Sequence, residues 1–202
     1  MNYPLLTLAR LNADIYKKLE KADSYGCDSI EVYNVENERF AFLTSGEDLI
    51  VVICGSNDKP DWLENISFVF PVRWNDFLAH RGFVQGVGNI LPKVMVKIAN
   101  CKRVVVSGHS AGAAKSSLIA HYLYTQHYQV QLVTFACPKH FSKFAKKVRN
   151  MLPQIHVKGS DDIVPSLLFV TYRDILGQYI ILDGVGHSMR DIQNALSRKG
   201  LC

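Results

Sequence analysis

No run of apolar residues in this 202-residue chain approaches the roughly 20 that a membrane-crossing helix needs, and the longest, such as Leu49 to Cys54, have the length of a single strand. The stretch from Met1 to Arg10 lacks a basic leader, and Arg10 interrupts its short apolar run before any small-residue cleavage site. No signal peptide is therefore read, and the expectation is a soluble cytoplasmic protein unless lysis releases it. Cysteine is sparse and odd in number, five without CxxC spacing, so neither a disulfide framework nor a zinc site is indicated and reduced thiols are expected. GxGxxG and Walker-type loops are absent, as is any metal-ligand cluster or cofactor motif, so a nucleotide-binding domain is disfavoured and no cofactor is expected. Charge is nearly balanced: the net +5 allows weak attraction to anionic surfaces but does not by itself point to a nucleic-acid partner. Repeats, low-complexity tracts and linkers are lacking too, which leaves one domain over residues 1–202.

What is present is an ordinary globular composition, 48% hydrophobic and 20% charged, in which helical and strand patterns alternate. Leu5, Leu8, Ala9, Leu11, Ile15, Tyr16 and Leu19 recur at helical spacing before Gly26. Ile30 to Tyr33 and Phe40 to Leu43 read as an antiparallel lead-in. Leu49 to Cys54 is the continuous apolar run of a strand buried on both sheet faces, and Arg103 to Ser107, Val130 to Phe135 and Gln178 to Leu182 follow the same style. Helical patterns over Phe83 to Ile98, Ala113 to Tyr124 and Phe141 to Met151 separate them. Strands alternating with helices imply right-handed crossovers, a mostly parallel central sheet flanked by helices, and chemistry gathered at the carboxyl ends of the strands.

One such end carries Gly108-His109-Ser110-Ala111-Gly112, followed at once by the small-residue start of a helix. G-x-S-x-G between strand and helix places a serine on a tight, strained turn, where a side chain two positions either way would collide with neighbouring backbone. The turn aims the hydroxyl outward while the following helix start offers N–H groups to a developing oxyanion. A serine hydroxyl needs a general base, and the base needs an orienting acid. Of the seven histidines, His187 is best placed, in the glycine-containing loop after the last strand; His156 is the rival, although it sits within an apparent strand, Gln154 to Lys158. His109 lies inside the turn, pointing away from Ser110. Asp161 and Asp162 follow the His156 strand in a loop with Gly159 and Pro165, and chemistry alone does not separate them.

These residues resemble the class 3 lipase family of α/β-hydrolases. The turn is similar to the family's GHSLG, Val133 to Pro138 resembles its TFG-[SA]-P strand end, and Asp162-Ile163-Val164-Pro165 matches its DxVP motif, which selects Asp162 over Asp161. Ile53-Cys54-Gly55-Ser56 resembles FRG-[ST], and Asp61 to Asn65 with His80 to Phe83 resembles the DWxxN and HxGF stretches, so the likeness spans about Leu49 to His187. It implies the α/β-hydrolase fold, Ser110, Asp162 and His187 as catalytic residues, and an oxyanion hole from Ser56 and the Ala111 backbone. Cys54, Ala111 and Ala113 depart from the family's usual Arg, Leu and Gly, and no Tyr follows His187; none of these changes removes a catalytic group.

The resemblance also implies a lid where Pro60 to Trp74 carries Trp62, Leu63, Ile66, Phe68, Val69 and Phe70, although core packing would use the same aromatic residues. Lys139, Lys143, Lys146, Lys147 and Arg149 interleave with Phe141, Phe144 and Val148, which suits a solvated helix face or transient contact with a membrane surface. The expected activity is hydrolysis of lipid acyl esters, lipase-like or phospholipase A1-like, through an acyl-enzyme. A short-chain esterase, an acyltransferase and a non-catalytic binding module of the same fold are the alternatives.

Overall fold

The computed structural model describes residues 3–55, 71–75, 77–142, 152–167, 172–173 and 176–201. A central sheet of seven strands runs in the order β1 (Ser29–Val35), β2 (Glu38–Ser45), β3 (Asp48–Ile53), β6 (Arg103–His109), β7 (Gln129–Phe135), β9 (Gln154–Gly159) and β11 (Gln178–Leu182). β1, β2 and β3 pair antiparallel, and every later pairing is parallel. The mixed, mostly parallel sheet carries helices on both faces, the α/β architecture that the alternation of strands and helices implies. Continuous apolar runs form its centre because both faces are covered: all of β3 is buried.

Alternation along the strands divides the core in two. Phe40, Phe42, Leu49, Val51, Val104, Val106 and Leu132 pack against α2 (Arg81–Ile98), through Phe83, Val87, Ile90, Val94 and Ile98, and against α3 (Ala111–Thr125), through Leu118 and Ile119. Ala41, Leu43, Ile50, Val52, Val105, Val133, Val157 and Leu182 face the other way, onto α1 (Leu5–Asp14) and α4 (Met189–Arg198). α1 ends at Asp14, short of the Leu19 that the spacing suggested; Leu19 still packs in this second cluster, past the helix end.

A second sheet was not expected. It joins β4 (Pro71–Trp74), β5 (Phe77–His80), β8 (Phe141–Ser142) and β10 (Tyr172–Arg173), all antiparallel. Phe141, read as the start of a helix, is instead a strand residue opposite Ala79, and the remainder of that reading, with Lys143 to Met151, lies outside the described residues. Pro71 to Trp74, the end of the apolar stretch read as a lid, is a strand of this sheet, and the partly buried Trp74 packs against the first core cluster. His80 caps α2, its Nδ1 accepting the Gly82 N–H at 3.2 Å. Among the described residues no helix is long and apolar enough to cross a membrane.

Candidate active site

The carboxyl ends of β6, β9 and β11 bring Ser110, Asp162 and His187 together. Ser110 joins β6 to α3 with φ 57° and ψ −127°, a left-handed conformation that non-glycine residues adopt only where the surroundings enforce it. The surroundings here are backbone. A Cβ on Gly108 would overlap the Gly112 carbonyl, and one on Gly112 would overlap the Ile53 carbonyl, so the glycines two positions before and after Ser110 let the turn close against β3. The Ser110 N–H donates to the Phe135 carbonyl at 3.0 Å, tying the turn to the end of β7. Ala111 opens α3, where the helix supplies no acceptor for its N–H.

His187 Nε2 lies 3.0 Å from Ser110 Oγ, and His187 Nδ1 lies 3.0 and 2.9 Å from the two oxygens of Asp162. The Asp162 side chain is completely buried, and it also accepts the Val164 N–H at 2.9 Å. A carboxylate only accepts, so the proton of a neutral His187 sits on Nδ1 and the Nε2 lone pair faces the Ser110 hydroxyl. Such an arrangement can draw a proton from the serine oxygen while the buried carboxylate balances the charge that forms on the ring. Asp161 is exposed and accepts from Ser160 Oγ at 2.8 Å instead.

The rival histidine occupies β9. His156 Nδ1 bonds Thr134 Oγ1 at 2.6 Å, its ring lies 5.0 Å from that of Tyr179, and burial pushes it down to about 4. Ser56, Trp62, Leu63 and Ile66 lie outside the described residues. Sequence patterns gave no weight to Tyr16, whose hydroxyl lies 2.8 Å from His109 Nδ1, or to the buried His109, whose Nε2 lies 2.8 Å from the His187 carbonyl oxygen. Asn12 and Tyr16, four residues apart, share a face and meet Ser107 and His109, two apart on β6, but the spacing alone does not say which strand that face packs against. Among the described residues no group of three His, Cys, Asp or Glu side chains is arranged to hold a metal ion.

A serine on a strained turn, hydrogen-bonded to a histidine that a buried aspartate holds from its other side, above a mostly parallel sheet, is the arrangement expected of a serine hydrolase of the α/β class. Within it, the model of the class 3 lipase family matches residues 50–172, and the chain belongs to that family. The family points to hydrolysis of carboxylic esters. No curated protein sequence matches significantly. Among solved structures, the triacylglyceride lipase of Rhizomucor miehei is 18% identical with a TM-score of 0.72, over 87% of this chain and 78% of that one. Lipase II from Rhizopus niveus is 19% identical with a TM-score of 0.73, over 90% and 80%. A triacylglycerol lipase whose catalytic centre is formed by a serine protease triad is 20% identical with a TM-score of 0.71, over 88% and 78%.

Proposed function

We propose that this protein hydrolyses acyl esters of lipids through an acyl-enzyme on Ser110. The observation that carries the reading is the continuous hydrogen-bonded line from Ser110 Oγ through His187 to the buried Asp162, in a chain of the class 3 lipase family. A similar fold whose catalytic centre is a serine protease triad supports it.

Ser110 Oγ attacks the ester carbonyl carbon as its proton passes to His187 Nε2. The tetrahedral oxyanion is held by the Ala111 N–H and by Ser56. Collapse breaks the carbon–oxygen bond to the alcohol, which leaves with the proton from His187. Water then attacks the acyl-enzyme, giving a proton to His187, and the second collapse releases the carboxylic acid and returns that proton to Ser110. Asp162 keeps the ring in the productive tautomer throughout. The substrate is a lipid or small ester met in solution or by transient contact with a membrane surface.

A panel of p-nitrophenyl esters from acetate to palmitate, run beside Ser110→Ala, tests this. Turnover that rises with acyl length and vanishes in the variant is expected. Wild-type protein that turns over none of the esters would refute the reading, and a preference for acetate would replace the lipid substrate with a short-chain one.

A further inference from the structure

One line of hydrogen bonds outside Ser110, His187 and Asp162 joins three segments that the proposed reaction needs in register. Tyr16, on the turn that follows α1, receives the Gly55 N–H on its hydroxyl oxygen at 3.1 Å, and that hydroxyl lies 2.8 Å from His109 Nδ1. On the far side of the ring, His109 Nε2 lies 2.8 Å from the His187 carbonyl oxygen. A carbonyl only accepts, so the proton of a neutral His109 sits on Nε2, Nδ1 is then an acceptor, and the Tyr16 O–H donates to it. The donors therefore run one way, from Gly55 to Tyr16 to His109 to His187. Gly55 directly precedes Ser56, and His109 directly precedes Ser110.

The line is built in. A Cβ on Gly55 would overlap the Tyr16 hydroxyl, so glycine is what lets the chain after β3 reach it. One turn earlier, the buried Asn12 donates to Ser107 Oγ at 2.7 Å and to the Leu8 carbonyl at 2.8 Å, anchoring α1 to the nucleophile strand. Burial pushes the Tyr16 phenol up, so it stays a donor at neutral pH. The His109 and His187 rings lie 4.7 Å apart, and His187 gains positive charge in the proposed mechanism, so the neutral His109 that the Tyr16 donation favours spares it a like-charged neighbour.

We propose that Tyr16 and His109 are positioning residues for ester hydrolysis at Ser110, holding the chain at Gly55, the nucleophile turn and the His187 loop in one register. The proposal rests on the ester-hydrolysis reading above. Two measurements on the full chain test it. In protein labelled with 15N-histidine, the ring shifts of His109 should report the Nε2–H tautomer, and Tyr16→Phe should mix the tautomers. In p-nitrophenyl butyrate hydrolysis, Tyr16→Phe should lower kcat about tenfold with KM within about twofold. His109→Leu should lose at least as much, and His109→Gln, which keeps a donor for the His187 carbonyl, should recover most of it; thermal melts identify any variant that fails to fold. A His109 carrying its proton on Nδ1 overturns the proposal whatever the activity. An active, Ser110-dependent wild type whose Tyr16→Phe form keeps full kcat overturns the positioning role alone. A wild type with the expected tautomer and no esterase activity overturns the ester-hydrolysis reading, and with it the catalytic use of the pair.

Discussion

Gly159 and Val185 touch so closely that a Cβ on the glycine would overlap the Val185 carbonyl, which locks the loop bearing Asp162 to the loop bearing His187. Around the contact, the Ser160 N–H donates to the Leu182 carbonyl at 2.9 Å, the Asp161 N–H to the Val185 carbonyl at 3.1 Å, and the Gly184 N–H to Ser160 Oγ at 2.9 Å. Gly159→Ala must push the two loops apart. Overpacking of this kind costs ~1–3 kcal/mol, and kcat should fall with it because the His187–Asp162 bond spans the same gap. Urea unfolding and ester kinetics on one preparation check both; a variant as stable and active as wild type would show that the loops separate freely.

Asp162 and Asp161 are neighbours with different surroundings, one buried against His187 and the other exposed. Asp162→Asn removes the acceptor that keeps the His187 proton on Nδ1, and kcat should drop by ~10⁴ with little change in KM. Asp161→Asn should stay within about twofold of wild type. Equal losses in the two variants would contradict the assignment.

Ser110 holds a backbone conformation open without strain only to glycine. Ser110→Gly and Ser110→Ala should both be inactive, yet the glycine form should be the more stable by about 1 kcal/mol. Chemical denaturation of the pair measures the strain stored at the turn, and identical midpoints would mean that the turn is unstrained.

Lys115 on α3 and Glu38 on β2 form a buried ion pair against Gly86 of α2. Removing one partner leaves a charge without compensation, so Lys115→Met should cost about 3–5 kcal/mol, whereas Lys115→Met with Glu38→Leu should recover much of that loss. A double variant no better than the single one would locate the cost in packing.

Two buried histidines make stability depend on pH on the acid side. Burial pushes His140 down to about 3 and His156 down to about 4, so both are neutral in the folded protein and take up protons on unfolding at ordinary histidine pKa values near 6.5. The unfolded state binds more protons below that pH, so their contribution is complete above about 6.5 and is lost as the pH falls toward 4 for His156 and 3 for His140. The slope approaches about 1.4 kcal/mol per pH unit for each histidine. Urea midpoints at pH 7 and pH 5 check this, and a stability unchanged between them would contradict it.

The sequence was most legible where a requirement is local. Leu49 to Ile53 announces a strand covered on both faces, and the glycines around Ser110 announce a turn that admits no side chain. Asp162 emerged from its motif, and burial is what separates it physically from Asp161. The second sheet left little trace because β8 and β10 are two residues long, too short for alternation to register, and Phe141 shares helical spacing with Phe144 and Val148 while pairing as a strand. α4 has few apolar positions, Met189, Ile192, Ala195 and Leu196, among charged neighbours. The contacts of Tyr16 with His109 and Gly55 join segments far apart in the chain, and no local pattern encodes such a meeting.

The measurement that bears most directly on the account is labelling with an active-site-directed fluorophosphonate, with the modified peptide located by mass spectrometry in wild type and in His187→Ala. The account predicts a single adduct on Ser110, formed in wild type and slowed by at least ~10³ in the variant. An adduct on another residue, or labelling of Ser110 undiminished without His187, would contradict it.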